Sequence, residues 1–165
     1  MAMGRWGAAV VAALAVAGLG GCDLQRISEL QVGTSTEADV RSRFGEPERV
    51  WDEPGGARTF EYNRQPAGAV NYMITIGPDG RLSALRQVLT PAEFAQITPG
   101  MTVDEVRRRL GKPMKTMSFA LKGETEWDWR WNDGGTRPMI FTAVFGGDGR
   151  VLRTASVEEI PQGGR

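Results

Sequence analysis

The chain has 165 residues, of which 41% are hydrophobic, and its 20 basic and 20 acidic side chains give a formal charge of zero. This length allows one ordinary domain or two very small ones, and the balanced charge indicates neither nucleic-acid binding nor an acidic interaction tail. The sequence has no histidine and one cysteine, which excludes a histidine-dependent triad, a histidine metal site and an intramolecular disulfide.

Residues 1–21 have the pattern of a secretory signal peptide. A short segment with one basic residue, Arg5, precedes the apolar run AAVVAALAVAGL, which is too short for a comfortable membrane span. The sequence Leu19-Gly20-Gly21-Cys22 then resembles the lipobox of bacterial lipoproteins. This resemblance implies cleavage before Cys22, lipid attachment to its sulfur, and a body tethered to a membrane leaflet. An uncleaved segment with an inert cysteine is the alternative.

Two later segments, STEADVRSRFGEP (35–47) and MTVDEVRRRLGKP (101–113), repeat one helix pattern. Each has a Thr followed three residues later by an acid, and Thr102 with Glu105 predicts a capping box. Each helix is predicted to end before a C-cap Gly and a Pro. A second, shorter helix pattern precedes each copy, around Leu24–Leu30 and after Thr90.

Strand patterns follow each helix in the same order. TFEYN (59–63) and EWDWRWN (126–132) alternate aromatic and polar residues, which is typical of a half-buried strand. NYMITIGPDGRL (71–82) and TAVFGGDGRV (142–151) each predict a strand, an Asp-Gly turn and a further strand.

The predicted fold class is therefore α+β, with two tandem α-α-β-β-β units. Each unit is a three-stranded antiparallel sheet packed against two short helices. The predicted units are residues 22–88 and 89–158, followed by a disordered tail, 159–165. A unit of this size buries little apolar surface alone, so we expect the two units to pack together.

This tandem pattern on a lipoprotein resembles the SmpA/OmlA (BamE-like) family. The matching residues are Gly100, Thr102, Glu105, Val106, Leu110, Gly111 and Pro113, and in the first copy Gly33, Thr36, Asp39, Val40, Phe44, Gly45 and Pro47. The resemblance implies a small non-enzymatic lipoprotein on the periplasmic side of the outer membrane, acting as an accessory of β-barrel assembly or envelope integrity. The usual member has one unit, whereas this chain has two. Asp23 also resembles an inner-membrane retention signal, so the inner membrane is the alternative location.

Two other hypotheses concern the same tandem unit. It resembles the β-lactamase inhibitory proteins, which implies a periplasmic inhibitor or protein-capture module with a concave sheet. A small-molecule or lipid-binding module is the third hypothesis, and an enclosed apolar pocket would favour it. The expected partners are a membrane, through the lipid on Cys22, and a protein, which in the first hypothesis is the β-barrel assembly machinery. No nucleic acid, metal or cofactor is expected.

Candidate sites for chemistry are few. The sequence has no G-x-S-x-G, phosphate-binding loop or dinucleotide-binding motif. Glu124, Glu126 and Asp128 alternate along one predicted strand, and we interpret them as its solvated face rather than as a pair of catalytic carboxylates. The run from Arg107 to Arg109 is interpreted as a solvated helix, with anionic lipid headgroups as the alternative partner.

Candidate partner-binding residues are aromatic. Trp127, Trp129 and Trp131 share one strand face, where they either cover the core or form an exposed stripe at an interface. Trp51 begins the Pro/Gly-rich segment WDEPGG, which is predicted to be a loop, and is the better single candidate for an exposed contact.

Overall fold

The computed structural model describes residues 21–134 and 136–160. Residues 1–20 of the predicted signal peptide, the side chain of Cys22 and the last five residues of the predicted tail lie outside this part. The helices are α1 (Gly21–Ser28), α2 (Glu37–Phe44), α3 (Pro91–Phe94) and α4 (Val103–Leu110), with a 3-10 turn at Pro54–Gly56. The strands are β1 (Arg49–Asp52), β2 (Arg58–Asn63), β3 (Asn71–Ile76), β4 (Leu82–Gln87), β5 (Lys115–Phe119), β6 (Glu124–Asp133), β7 (Arg137–Phe145) and β8 (Val151–Glu158).

The strands form two four-stranded antiparallel sheets with the orders β1-β2-β3-β4 and β5-β6-β7-β8. The predicted fold class, two α-α-β-β-β units with three-stranded sheets, is therefore wrong. The strands that the sequence pattern missed are β1 and β5, which pair with β2 and β6 as edge strands. Both are short and mostly exposed, so neither shows the regular apolar alternation of a half-buried strand.

The repeated helices begin and end as their sequence predicts. In α4 the Glu105 N–H donates to the Thr102 hydroxyl at 3.2 Å, and the Glu105 carboxylate accepts from the Thr102 N–H at 2.7 Å. Thr36 and Asp39 form the same reciprocal pair at α2. The chain leaves α4 through Gly111 at φ 77°, a conformation that L side chains rarely adopt.

The first core lies between α2 and one face of the first sheet. It contains Val40, Phe44, Phe60, Tyr62, Tyr72, Ile74, Ile76 and Leu82, with Ile27 of α1 packed against it. The Tyr62 hydroxyl donates to the Gly45 carbonyl at 3.0 Å, which fixes the end of α2 to β2. At the start of α1, Asp23 is buried, and its carboxylate accepts from Arg64 at 2.9 Å and from Arg26 at 3.3 Å.

The second core joins the two sheets. It contains Phe94, Ile97, Val106, Leu110, Trp129, Trp131, Phe141, Ala143, Phe145 and Val151, together with Met73, Val88 and Leu89 from the first half of the chain. Helix α4 thus packs on the second sheet and also meets the first. The chain forms successive layers: α1 with α2, the first sheet, α3 with α4, and the second sheet. Within the described residues, no helix has the length and apolar character needed to span a membrane.

Candidate functional site

The tryptophans proposed as partner contacts lie mainly inside the protein. Trp129 is 0% exposed, and Trp131 and Trp51 are each 5% exposed. Trp127 is half-buried and packs edge-on against Phe145, with ring centroids 5.2 Å apart. The strand β6 tryptophans therefore cover the core and do not form an exposed stripe.

Trp51 also differs from its expected setting. It lies within β1, not in an exposed loop, and the guanidinium carbons of Arg49 and Arg108 lie over its ring, 4.0 and 4.5 Å from the ring centroid. The expectation of an exposed ring is wrong, because α4 of the second half covers this part of the first sheet.

The second face of the first sheet, opposite its own core, is covered by α4. At its centre Glu61 is 0% exposed. Its carboxylate accepts from Arg107 Nη2 at 3.2 Å and from the Lys112 backbone N–H at 2.9 Å. Beside it, the Asn71 side-chain amide donates to the Leu110 carbonyl at 2.9 Å. Three groups at the end of α4 thus bind this face: the Arg107 side chain, the Lys112 N–H and the Leu110 carbonyl.

No helix of the described residues packs on the matching face of the second sheet, and we call it the open face, although Val144 on it is only 5% exposed. Strand register places these residues on it: Lys115, Met117, Phe119, Glu124, Glu126, Asp128, Arg130, Ile140, Thr142, Val144, Arg153, Ala155 and Val157. None of them belongs to either core cluster. Among the described residues, no helix residue hydrogen-bonds to the side chains of this face.

Glu61 and Asp128 hold equivalent positions in the two sheets. Each immediately precedes an aromatic residue that bonds the carbonyl of a helix C-cap glycine: Tyr62 bonds Gly45, and the Trp129 Nε1 donates to Gly111 at 3.0 Å. Glu61 is buried beneath α4, whereas Asp128 is partly exposed on the open face. The open face is therefore the counterpart of the covered face in the first sheet.

Two ion pairs flank the centre of the open face. Arg153 forms a bidentate pair with Glu124 at 2.9 and 2.8 Å, and this hydrogen bonding lowers the pKa of the Glu124 carboxyl. Arg130 pairs with Glu159 at 2.6 Å and lowers the pKa of the Glu159 carboxyl in the same way. The Arg130 backbone N–H donates to the Gln65 side-chain oxygen at 3.1 Å, and the Gln65 side-chain nitrogen donates to the Arg130 carbonyl at 2.8 Å.

The two acids between these pairs keep acceptor capacity. Asp128 accepts from the Thr142 hydroxyl at 2.6 Å through Oδ1. Within the described residues, neither Glu126 nor Asp128 takes part in a salt bridge. Two carboxylates with free oxygens suit a partner that presents N–H donors or cations. The described residues contain no group of three or more metal-ligating side chains.

The three consecutive arginines of α4 have partners within the chain. Arg107 meets Glu61, Arg108 lies over Trp51, and Arg109 Nη1 meets Glu93 at 3.1 Å. Arg108 and Arg109 also line an open cleft with Arg86, Met101 and Glu105. This charged lining differs from the enclosed apolar pocket that would favour a small-molecule module.

Sequence patterns identified part of the open face. The solvated row Glu124, Glu126 and Asp128 was predicted as the side of the strand opposite the tryptophans, and this placement is confirmed. The contributions of β5 and β8, such as Met117 and Val157, were missed. A weak signal was present in KTMSF, where Met117 and Phe119 lie two residues apart and share one face.

Comparison with known proteins found two solved structures of interest and no established family. No family model and no curated protein matches the chain. A DUF4309 family protein (YjgB) from Bacillus subtilis is 23% identical, with 82% of this chain and 86% of that chain covered and a TM-score of 0.32. A putative beta-lactamase inhibitor protein from Streptococcus mutans is 12% identical, with 84% and 97% covered and a TM-score of 0.36.

These findings correct the family resemblance drawn from the sequence. Neither solved structure is a SmpA/OmlA (BamE-like) protein, so the assignment to that family is wrong. Its matching residues are helix caps, turns and core positions, which recur in unrelated folds. Both likenesses are distant and establish neither a family nor an activity.

Proposed function

We propose that this chain is a non-enzymatic module that binds a partner protein on the open face of its second sheet, as a capture or inhibitor module. The observation that carries the proposal is the contrast between two equivalent faces. The face around Glu61 is covered by a helix, whereas no helix in the part of the chain that the structure describes covers the face around Asp128. Tandem units that stack in this way leave a terminal face available for contacts.

The size and composition of the open face suit a protein partner. Strands of about eight residues, four abreast, give a face of roughly 25 Å by 15 Å. This is smaller than one side of a standard interface, about 800 Å², and suits a small or transient contact. Apolar Met117 lies opposite Glu126, and Val157 lies opposite Ile140, whose partner in β6 is Arg130. Such a mixture of apolar and charged side chains occurs at non-obligate interfaces.

The acids of the open face are poorly arranged for catalysis. A general acid working near neutral pH needs a raised pKa, whereas Arg153 lowers that of Glu124. The sequence has no histidine to act as a general base. These features support a binding role over an enzymatic one.

A lipid on Cys22 forms a second part of the proposal. It is supported by the lipobox sequence Leu19-Gly20-Gly21-Cys22, and it would hold the module at the envelope membrane. Metabolic labelling with an alkyne fatty acid should mark the wild type and not Cys22→Ser. Equal labelling of both proteins would contradict the tether.

Site-specific crosslinking tests the binding face. A photoreactive amino acid replaces Ala155, at the centre of β8 on the open face, in cells that express the protein. A control variant carries the same group at Val32, which is 63% exposed on the first half of the chain. We expect a discrete adduct from the Ala155 position alone, lost when Asp128→Arg is added. Equal adducts from both positions, or none from Ala155, would refute the proposed face.

A further inference from the structure

We infer that the open face recognises the C-terminal end of a helix that carries an arginine, supplied by a different protein. This inference rests on the proposed function and names the chemistry of the partner. It is drawn from the way the chain covers the equivalent face of its first sheet. There the occupant is the C-terminal end of α4, with Arg107 and the backbone that follows Gly111.

The interaction at the first sheet has two parts. One is a charge-assisted bond from the Arg107 guanidinium to Glu61, with Nη2 and Nε at 3.2 and 3.3 Å from the two oxygens. The other is the Lys112 N–H, which donates to the same carboxylate at 2.9 Å. A helix end is an unusual partner for a carboxylate, because its carbonyls carry partial negative charge. The arginine and the N–H beyond the C-cap glycine compensate for that charge.

The open face has a carboxylate acceptor at the position equivalent to Glu61. Asp128 is the counterpart of Glu61, and its Oδ2 accepts no hydrogen bond from the described residues. Glu126 lies two residues away on the same face and supplies a second carboxylate. A helix end with one arginine would thus find two carboxylates at the centre of the sheet, between the ion pairs of Arg130 and Arg153. Lys115 lies opposite Asp128 in the register and forms no salt bridge with it among the described residues.

The covered and open faces differ in a way that suits a separate, dissociable partner. Met73 of the covered face enters the core shared with the second half of the chain. On the open face, the central β7 position beside Asp128 is Thr142, whose hydroxyl bonds that acid. A polar centre buries less apolar area, so the interface is less permanent than the internal one.

A second copy of this chain fits the open face less well. Its first unit would present α2, in which Arg41 takes the position of Arg107 and Glu46 that of Lys112. Arg41 already bonds Glu37 and Glu46. Glu46 would bring a negative charge towards Asp128 and Glu126, which is unfavourable. Such head-to-tail contacts would also leave one open face on each assembly and continue into filaments.

A peptide of residues 101–114, MTVDEVRRRLGKPM, is the probe for this inference. It carries the α4 cap, Arg107 and the sequence through Lys112, and a lactam between Asp104 and Arg108→Lys keeps it helical. The peptide is titrated into the full isotopically labelled chain in detergent, and backbone amide shifts are recorded. We expect shifts centred on Glu126, Asp128 and Thr142, with a dissociation constant of about 1 mM.

Matched variants distinguish this recognition from non-specific attraction. Asp128→Asn should weaken binding about fivefold or more, since one charge-assisted hydrogen bond is lost, whereas Asp104→Asn in the protein should not change it. A peptide with Arg107→Glu should not bind. Equal binding of that control peptide, shifts centred elsewhere, or no shifts at about 5 mM peptide would overturn the inference.

Two further results separate this inference from its alternatives. If the Ala155 position gives specific crosslinks while the peptide fails to bind, the proposed function stands and the helix-end chemistry is refuted. If sedimentation shows concentration-dependent self-association of the full chain that Asp128→Asn abolishes, the occupant is a second copy and the inference is refuted.

Discussion

Glu61 and Asp128 show how one position in a repeated unit acquires two roles. Glu61 is 0% exposed and bonded to Arg107 and to the Lys112 backbone. Among the described residues, the Asp128 carboxylate accepts a hydrogen bond only from Thr142, and the side chain is partly exposed. The local sequences, FEYN and WDWR, do not reveal this difference. It depends on which unit supplies a helix to the face, which is a long-range property of packing.

Replacement of these two acids should therefore have unequal effects on stability. Glu61→Ala leaves the Arg107 guanidinium and the Lys112 N–H without their acceptor, and should lower the free energy of unfolding by about 3 kcal/mol. Asp128→Ala, the matched control, should change it by less than about 1 kcal/mol. Urea denaturation followed by tryptophan fluorescence measures both. Similar losses from the two variants would contradict the assignment of covered and open faces.

The two tyrosines give a prediction for alkaline pH. Burial raises the pKa of Tyr62 to about 12, and burial together with the Asp23 charge raises the pKa of Tyr72 above its usual 10.0. A raised folded-state pKa contributes stability that is complete below the unfolded value and is lost as pH rises through the folded value. Stability should thus fall between about pH 10 and pH 12.

Near-ultraviolet absorbance detects tyrosinate directly in this experiment. The chain has two tyrosines, so the signal belongs to these side chains. We expect little tyrosinate at pH 10 while the protein remains folded, and Tyr62→Phe should remove the component that titrates near pH 12. Half-maximal ionisation of both phenols near pH 10 in the folded protein would disagree with the packing described for the first core.

At the scale of elements, the capping boxes are the best-predicted features. A hydroxyl and a carboxylate three residues apart are sufficient to identify the start of α4, because the interaction is local. The edge strands β1 and β5 were missed for the opposite reason. Backbone hydrogen bonds to β2 and β6 stabilise these strands. Because most of their side chains are exposed, their sequences show no alternation of apolar and polar residues that would predict a strand.

The capping box of α4 predicts a specific titration. Hydrogen bonds from the Thr102 backbone and then its side chain lower the pKa of the Glu105 carboxyl below 4.5. A lowered folded-state pKa contributes stability that is present above the unfolded value and is lost as pH falls through the folded value. The Glu105 midpoint should therefore lie below 4.5 and rise towards 4.5 in Thr102→Val.

Carbon-detected nuclear magnetic resonance of side-chain carboxyls measures this midpoint. Thr102→Ser is the matched control, since a serine hydroxyl keeps the cap. The Thr102 backbone N–H remains in Thr102→Val and continues to lower the Glu105 pKa, so the rise should be partial. An unchanged Glu105 midpoint in Thr102→Val would mean that the Thr102 hydroxyl makes no contribution in solution.

The whole molecule depends on contacts that cross its midpoint. Met73, Val88 and Leu89 belong to the core of the second half of the chain, and Gln65 bonds the backbone of Arg130. The repeat in the sequence predicted two similar halves that pack together. It did not predict that a helix of the second half would lie on the first sheet, and so the open face was not identified. The position of the open face depends on which of the two sheets has its second face packed against α4, and this long-range contact is not encoded in a local sequence pattern.

Because the two halves share a core, we expect them to unfold together. Met73→Ala removes a fully buried side chain from the shared core and should cost about 2–5 kcal/mol. This loss of stability should reduce the protection of backbone amides against hydrogen exchange equally in β3 and in β7. Loss of protection in β3 alone would show that the halves unfold independently. Met117→Ala on the open face is the control and should leave both unchanged.

The burial of Asp23 has a mechanical consequence for the proposed tether. Its carboxylate is bound to Arg64 of the folded body, and Cys22 is the residue directly before it. A lipid on that cysteine would be joined to the folded body without linker residues, so the body would lie close to the leaflet and sample a restricted range of orientations. The direction from which a partner approaches would then be set by the orientation of the body as well as by affinity.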